Sequence, residues 1–248
     1  MLGKPLRLFL VSVLIAAALA VSAIAQDFQK SYQLEPGSSI RIHNISGNVT
    51  VTGYDGSAVV VTGTKQGANS DLVTIEDRST AGGLDLSVRY PHPCNNCQAS
   101  VEFAVQVPRS ISYHFDDIRS ISGEVSVIGV TGRVEASTVS GSVKVTDIAG
   151  SVSAKSVSGE VDVDIDRLEG TSDMSFSTVS GGVTVKVPAG LDASIDMSTF
   201  SGSIDTDLPI QVRKEEFSSG QKASGQVGDG SRRLHMSTVS GSLSLKQR

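Results

Sequence analysis

The chain has no tryptophan, and aromatic residues make up only 4% of its 248 residues. Stacking platforms for nucleobases or sugar rings are therefore hard to assemble. Basic residues are not in excess, with 21 Lys and Arg against 26 Asp and Glu. The absence of a basic stripe argues against nucleic acid as a partner and against binding through anionic lipid head groups. Cysteine occurs only at positions 94 and 97, too few for the disulfide framework that holds small secreted domains. Beyond residue 25, no segment is apolar enough to span a bilayer. Long helix-forming stretches are also missing. What remains abundant is glycine (25 residues) together with serine, a composition of turns and short strands that indicates an all-β chain.

The first 25 residues stand apart. Lys4 and Arg7 form a positive leader, Leu8 to Val21 is an almost unbroken apolar run, and Ala23-Ile24-Ala25 gives a small-x-small site. This is the pattern of a secretory signal peptide cleaved after Ala25. The apolar run is short for a membrane span of about 20 residues, and no cysteine follows the site to carry a lipid. The expected mature chain is residues 26–248, exported to the periplasm, the cell surface or the medium. Its net charge falls from −5 to −7, because both positive residues leave with the leader.

Seven times the mature chain writes a small hydroxyl or amide residue, an apolar residue, then Ser-Gly. The copies begin at Asn44, Ser120, Thr138, Ser156, Thr178, Thr199 and Thr238. From Gly123 to Gly159 the glycines tick every nine residues, and Ser-Gly marks every second tick. The unit is therefore 18 residues with two short strands, the signature of a stacked repeat. Later intervals widen to 22, 21 and 39 residues, the last holding an excursion.

Within a unit, apolar residues alternate with the period of a strand. One column reads Val125, Val143, Val161, Val183, Ile204, Leu243; a second reads Val127, Val145, Val163, Val185, Thr206, Leu245. A third, before the Ser-Gly, reads Ala136, Ala154, Phe176, Met197, Met236. Strands this short bury their apolar face only by stacking, and each buried Val or Leu then contributes roughly 1.5–3 kcal/mol. Glycine suits a corner that calls for positive φ, and the serine before it is placed to hydrogen-bond the local backbone. In-register stacking sets Lys144 opposite Asp162, and Lys186 between Asp164 and Asp207, on the outer face.

The expected fold is thus a β-solenoid or β-helix-like stack of short strands with an N-terminal β-sheet cap. Residues 26–115 form a β-rich cap continuous with the solenoid, and residues 116–248 form the repeats. Residues 213–233, rich in Gly, Ser and charge, are expected as an exposed loop.

No catalytic constellation, cofactor motif or metal-ligand spacing emerges. Cys94-Asn95-Asn96-Cys97 reads as a local disulfide across a tight turn. The alternatives are a metal site with His92, which lacks a fourth ligand, and a redox motif, which lacks an activating helix. Glu160, Asp162, Asp164 and Asp166 alternate with apolar residues and so share one face of one strand. That row reads as the solvated side of a strand; a cation site or paired carboxylates acting on a polysaccharide is the sharper alternative. The four histidines form no metal-ligand pair, and the Thr column points inward or to a corner, away from any water-ordering face.

The run of Thr-Val-Ser-Gly-x-Val-x-Val units behind a signal peptide resembles the bacterial "putative adhesin" family of exported β-repeat domains of unknown function. Val107-Pro108 ahead of the repeats and Gly228-Asp229-Gly230 leading to the last Thr238-Val239-Ser240-Gly241 strengthen the resemblance. It covers essentially the whole mature chain and implies a β-solenoid-like fold in the bacterial envelope, with no catalytic residues to carry over. The resulting expectation is a non-enzymatic envelope protein that binds an unidentified protein or glycan as an adhesin or surface-binding module. A periplasmic accessory or sensor subunit docking a membrane partner is the alternative, and a β-helical polysaccharide-processing enzyme ranks below both.

Overall fold

The computed structural model describes residues 28–92, 98–214 and 219–248. The leader and the Cys94–Cys97 pair lie outside the described residues. The N-terminal strands are β1 (Phe28–Tyr32), β2 (Ser39–His43), β3 (Val49–Tyr54), β4 (Val59–Gln66), β5 (Thr74–Asp77), β6 (Gly83–Arg89) and β7 (Ser100–Pro108). The repeats supply β8 (Ser112–Ser122), β9 (Val125–Ile128), β10 (Thr131–Ser140), β11 (Val143–Ser158), β12 (Val161–Arg167), β13 (Met174–Ser180) and β14 (Val183–Val187). The chain ends with β15 (Ala193–Ser201), β16 (Ile204–Thr206), β17 (Gln211–Lys214), β18 (Gln221–Val227), β19 (Arg233–Ser240) and β20 (Leu243–Gln247).

In each repeat, one alternating strand runs up to Ser-Gly, the pair turns the corner, and a second strand returns on the opposite face. Two ladders result. The first runs β5–β6–β2–β8–β10–β11–β13–β19–β15–β18–β17. The second runs β1–β4–β7–β3–β9–β11–β12–β14–β20–β16. Strand β11 belongs to both, bending from one to the other at Ala149-Gly150. Pairing is parallel through the stack. Among the described residues it turns antiparallel only at its ends, in β1–β4–β7 and β5–β6 on one side and β15–β18–β17 on the other. The N-terminal strands are thus hydrogen-bonded into the same stack through β2–β8 and β3–β9.

The inward faces of the two ladders make one core. The first apolar column lies in register as Val49, Val125, Val143, Val161, Val183, Leu243, Ile204, every member buried. Ala136, Ala154, Phe176, Met236 and Met197 face it from the other ladder, also buried.

Two expectations are corrected. The last two coils stack out of chain order: β19 enters between β13 and β15, and β20 between β14 and β16. The reason lies in residues 213–233, expected as an exposed loop but containing β18 and the start of β19. Strand β18 pairs antiparallel with β15 and takes its outer edge, leaving only the inner edge for the returning chain. Lys186 therefore sits between Asp164 and Lys246 rather than between Asp164 and Asp207. Lys246 instead bonds Asp205, at 2.8 Å. The exposed edge of β16 is blunted by Gln221, whose Oε1 accepts the Ile204 N–H at 2.7 Å, a device that discourages edge pairing.

Candidate functional site

The Ser-Gly corner builds the most distinctive surface of the molecule. At Gly141 φ is +147°, and a Cβ there would collide with the carbonyl oxygen of Gly123 in the preceding coil. Only glycine lets successive corners approach this closely. The close approach leaves a ring of corner carbonyls to satisfy, and the first residue of each motif does so. Thr138 Oγ1 donates to Gly123 O, Ser156 Oγ to Gly141 O and Thr178 Oγ1 to Gly159 O, each at 2.9 Å. Thr238 Oγ1 reaches Gly181 O at 3.1 Å, and Thr199 Oγ1 reaches Gly241 O at 2.9 Å. Ser120 and Asn44 do the same at the N-terminal end, donating to Gly47 O and Val101 O. The hydroxyl needed by the corner is thus the first of the motif. The serine before the glycine, expected to hydrogen-bond the local backbone, instead points outward at Ser122, Ser140, Ser158, Ser180 and Ser240.

With the threonine turned inward, strand alternation turns the next residue out. Ile121, Val139, Val157, Val179 and Val239 are 46–50% exposed, and Phe200 is 67% exposed. Half-buried Ile45 begins the row. The corner register orders it Ile45, Ile121, Val139, Val157, Val179, Val239, Phe200. At the inter-strand spacing of about 4.8 Å, these seven residues form a straight ridge ~29 Å long. Its exposed apolar surface is on the order of 500 Å², at the upper end of what a monomer ordinarily shows. A groove of about 660 Å³ opens beside one end, lined by Val179, Phe200 and Val239 with Ser177, Ser198 and Lys222.

Asp162, Asp164 and Asp166 alternate with buried Val161, Val163 and Ile165 along β12, with Glu160 just ahead of it, and the row is not open along its length. Arg248 lies over one end, with Nε 3.1 Å from Asp164 Oδ1, Nη1 2.6 Å from Asp166 Oδ1 and Nη2 3.6 Å from Asp147 Oδ1. Glu160 and Asp162 are exposed, and Asp162 stands beside Lys144 in the register. Among the described residues, no group of three or more His, Cys, Asp or Glu is placed to hold a metal ion. His43 Nε2 lies 2.8 Å from Asp117 Oδ2, and His235 Nδ1 lies 3.1 Å from Asp196 Oδ1, both on the outer face of the first ladder. Among the described residues, no helix is long and apolar enough to cross a membrane.

The ridge was within reach of the sequence. Once Ala136 and Thr138 are assigned inward, alternation alone turns Val139 outward, and the same holds in every repeat.

Two solved structures align with most of this chain at low identity. One, described as a "putative cell adhesion protein" of Clostridium sporogenes, is 12% identical over 89% of this chain and 99% of that one, with a TM-score of 0.47. The other, described as a "putative adhesin" of Bacteroides fragilis, is 10% identical over 88% and 96% of the two chains, with a TM-score of 0.40. No curated protein matches the chain. The model of one family spans residues 37–246, from just ahead of β2 into β20, and on that match the chain belongs to the Toastrack DUF4097 family.

Proposed function

We propose that the protein is a non-enzymatic, exported binding module of the bacterial cell envelope, adhesin-like in kind, whose working surface is the apolar ridge. The observation that carries this reading is the ridge itself. Six side chains are held 46–67% exposed by a corner whose hydrogen bonds fix them there. Keeping a Val or Ile half exposed forgoes roughly 1 kcal/mol of burial at each position, a standing cost that a partner surface would offset. The ridge is aliphatic apart from Phe200, which favours a protein partner over a glycan, since sugar rings are held by aromatic faces. The coverage of Asp164 and Asp166 by Arg248 supports the solvated reading of the acidic row over a glycan-cleaving one.

Capture from envelope fractions with immobilised residues 26–248 tests the reading. Wild type is expected to retain a partner that Val157→Asp and Val179→Asp both lose, with unchanged circular dichroism. Equal capture by wild type and both variants would remove the ridge from the function. Protease shaving of intact cells, against a periplasmic control, then separates two locations. Cleavage fits an adhesin on the outer surface, and protection fits an accessory subunit docking a membrane partner in the periplasm.

A further inference from the structure

The flanks of the ridge are sorted by charge. On the side of the first ladder, the residue two before each ridge position reads His43, Arg119, Ser137, Lys155 and then only serines. On the side of the second ladder, the residue three after reads Asn48, Glu124, Ser142, Glu160 and then Gly or Ser. No acidic residue stands in the first row and no basic residue in the second. The charged positions also coincide by coil: Arg119 and Glu124 flank Ile121, and Lys155 and Glu160 flank Val157. All four are exposed. Among the described residues, Lys155, Glu124 and Glu160 form no ion pair, while Arg119 touches Asp117 at 3.4 Å and keeps half its side chain in solvent.

From this arrangement we infer that the ridge binds a second copy of the same chain, in a parallel dimer whose two-fold axis runs along the ridge. The inference rests on the ridge being the working surface and names its occupant. A two-fold rotation about that line brings each ridge residue onto its own counterpart and exchanges the two flanks. Lys155 then faces the partner's Glu160, and Arg119 the partner's Glu124, each pair occurring twice by symmetry. The antiparallel alternative turns the same flank onto itself and sets Lys155 against the partner's Lys155. The spacing argues the same way. A row repeating every ~4.8 Å is matched along its length by another β-stack, whereas a helix, with its 5.4 Å turn, drifts out of step. Two ridges of about 500 Å² each, with their serine and charged flanks, bury an area within the about 1,200–2,000 Å² of a stable interface. At the other coils the flanking positions are Ser, Gly, Asn48 and His43, and no carboxylate on one flank meets a carboxylate of the partner.

Sedimentation equilibrium on purified residues 26–248 is the test. The wild type is expected to be a dimer, and Val157→Asp a folded monomer with its dissociation constant raised by roughly a hundredfold or more. Lys155→Glu alone and Glu160→Lys alone are each expected to weaken the dimer roughly tenfold, and the double swap to restore it. Ile121→Cys, oxidised beside the wild-type control, is expected to link to its own counterpart, which an antiparallel dimer forbids because Ile121 would then face Val239. A monomeric wild type, a dimer indifferent to Val157→Asp, or charge reversals that are not mutually rescued would each overturn the inference. A monomer that still captures an envelope partner through Val157 would overturn the dimer and leave the binding-module reading standing.

Discussion

Replacing Thr178 by valine isolates the corner ladder from everything else the repeat does. The two side chains have the same shape, so packing is conserved, and the position is 4% exposed. What is lost is the Oγ1 donor, 2.9 Å from Gly159 O. That carbonyl sits where a corner is pressed against the next and water has little access. An unsatisfied buried acceptor costs about 1–3 kcal/mol. The added apolar methyl returns little, because the new Cγ faces a carbonyl oxygen. A central loss of ~2 kcal/mol lowers Tm by about 4–8 °C in a domain of this size. The assay is urea unfolding of residues 26–248 with Val179→Thr as the control one residue along, where exposure limits the effect to about 0.5 kcal/mol. An unchanged slope with a shifted midpoint confirms a native-state effect. Equal midpoints for the two variants would refute the reasoning, since the inward hydroxyl would then be no more valuable than an outward one.

Gly141→Ala combines positive φ with a backbone collision and is expected to cost at least ~3 kcal/mol, read as a lost or strongly lowered unfolding midpoint. Ending the chain at Gly230 removes β19 and β20 from between β13–β14 and β15–β16. Hydrogen exchange is expected to show protection lost across residues 193–206 while residues 112–167 keep theirs. Burial pushes the Asp77 carboxyl upward, but hydrogen bonds from Lys30, Ser79 and Tyr32 more than reverse this and hold it well below the usual carboxylate range. A depressed folded pKa stabilises above the unfolded value of about 3.9, and that stability is lost as pH falls below it. Wild type is therefore expected to lose more stability than Asp77→Asn between about pH 5 and pH 2, as followed by circular dichroism. Parallel acid titrations would contradict the assignment.

The apolar columns were legible because a strand period of two, carried on an 18-residue repeat, leaves no other way to bury Val143, Val161 and Val183 together. The order of the last coils was not. Any coil with a corner threonine, a Ser-Gly and two following apolar residues fits any slot in the stack, so Leu243 beside Val183 is locally as good as Ile204. The choice is made by β18, whose Gln, Ser and Gly residues show little of the apolar alternation by which the other strands announce themselves. The acidic row shows the same divide. Its shared face follows from the strand period, but Arg248 comes from beyond β20, two strands away, and reaches Asp164 only because that strand is inserted.

The glycine-carbonyl corner makes length a counted quantity in this molecule. Each coil meets its neighbours through the same hydroxyl, the same carbonyl and the same close backbone approach. Duplicating or deleting a whole 18-residue unit would therefore extend or shorten the ridge by one side chain, about 4.8 Å, and leave every other corner as it was. Adding a single residue within a strand does the opposite, turning the core face outward from that point. A stack of this kind adjusts the reach of its surface in whole steps, and the gene that encodes it can change by repeats far more freely than by codons.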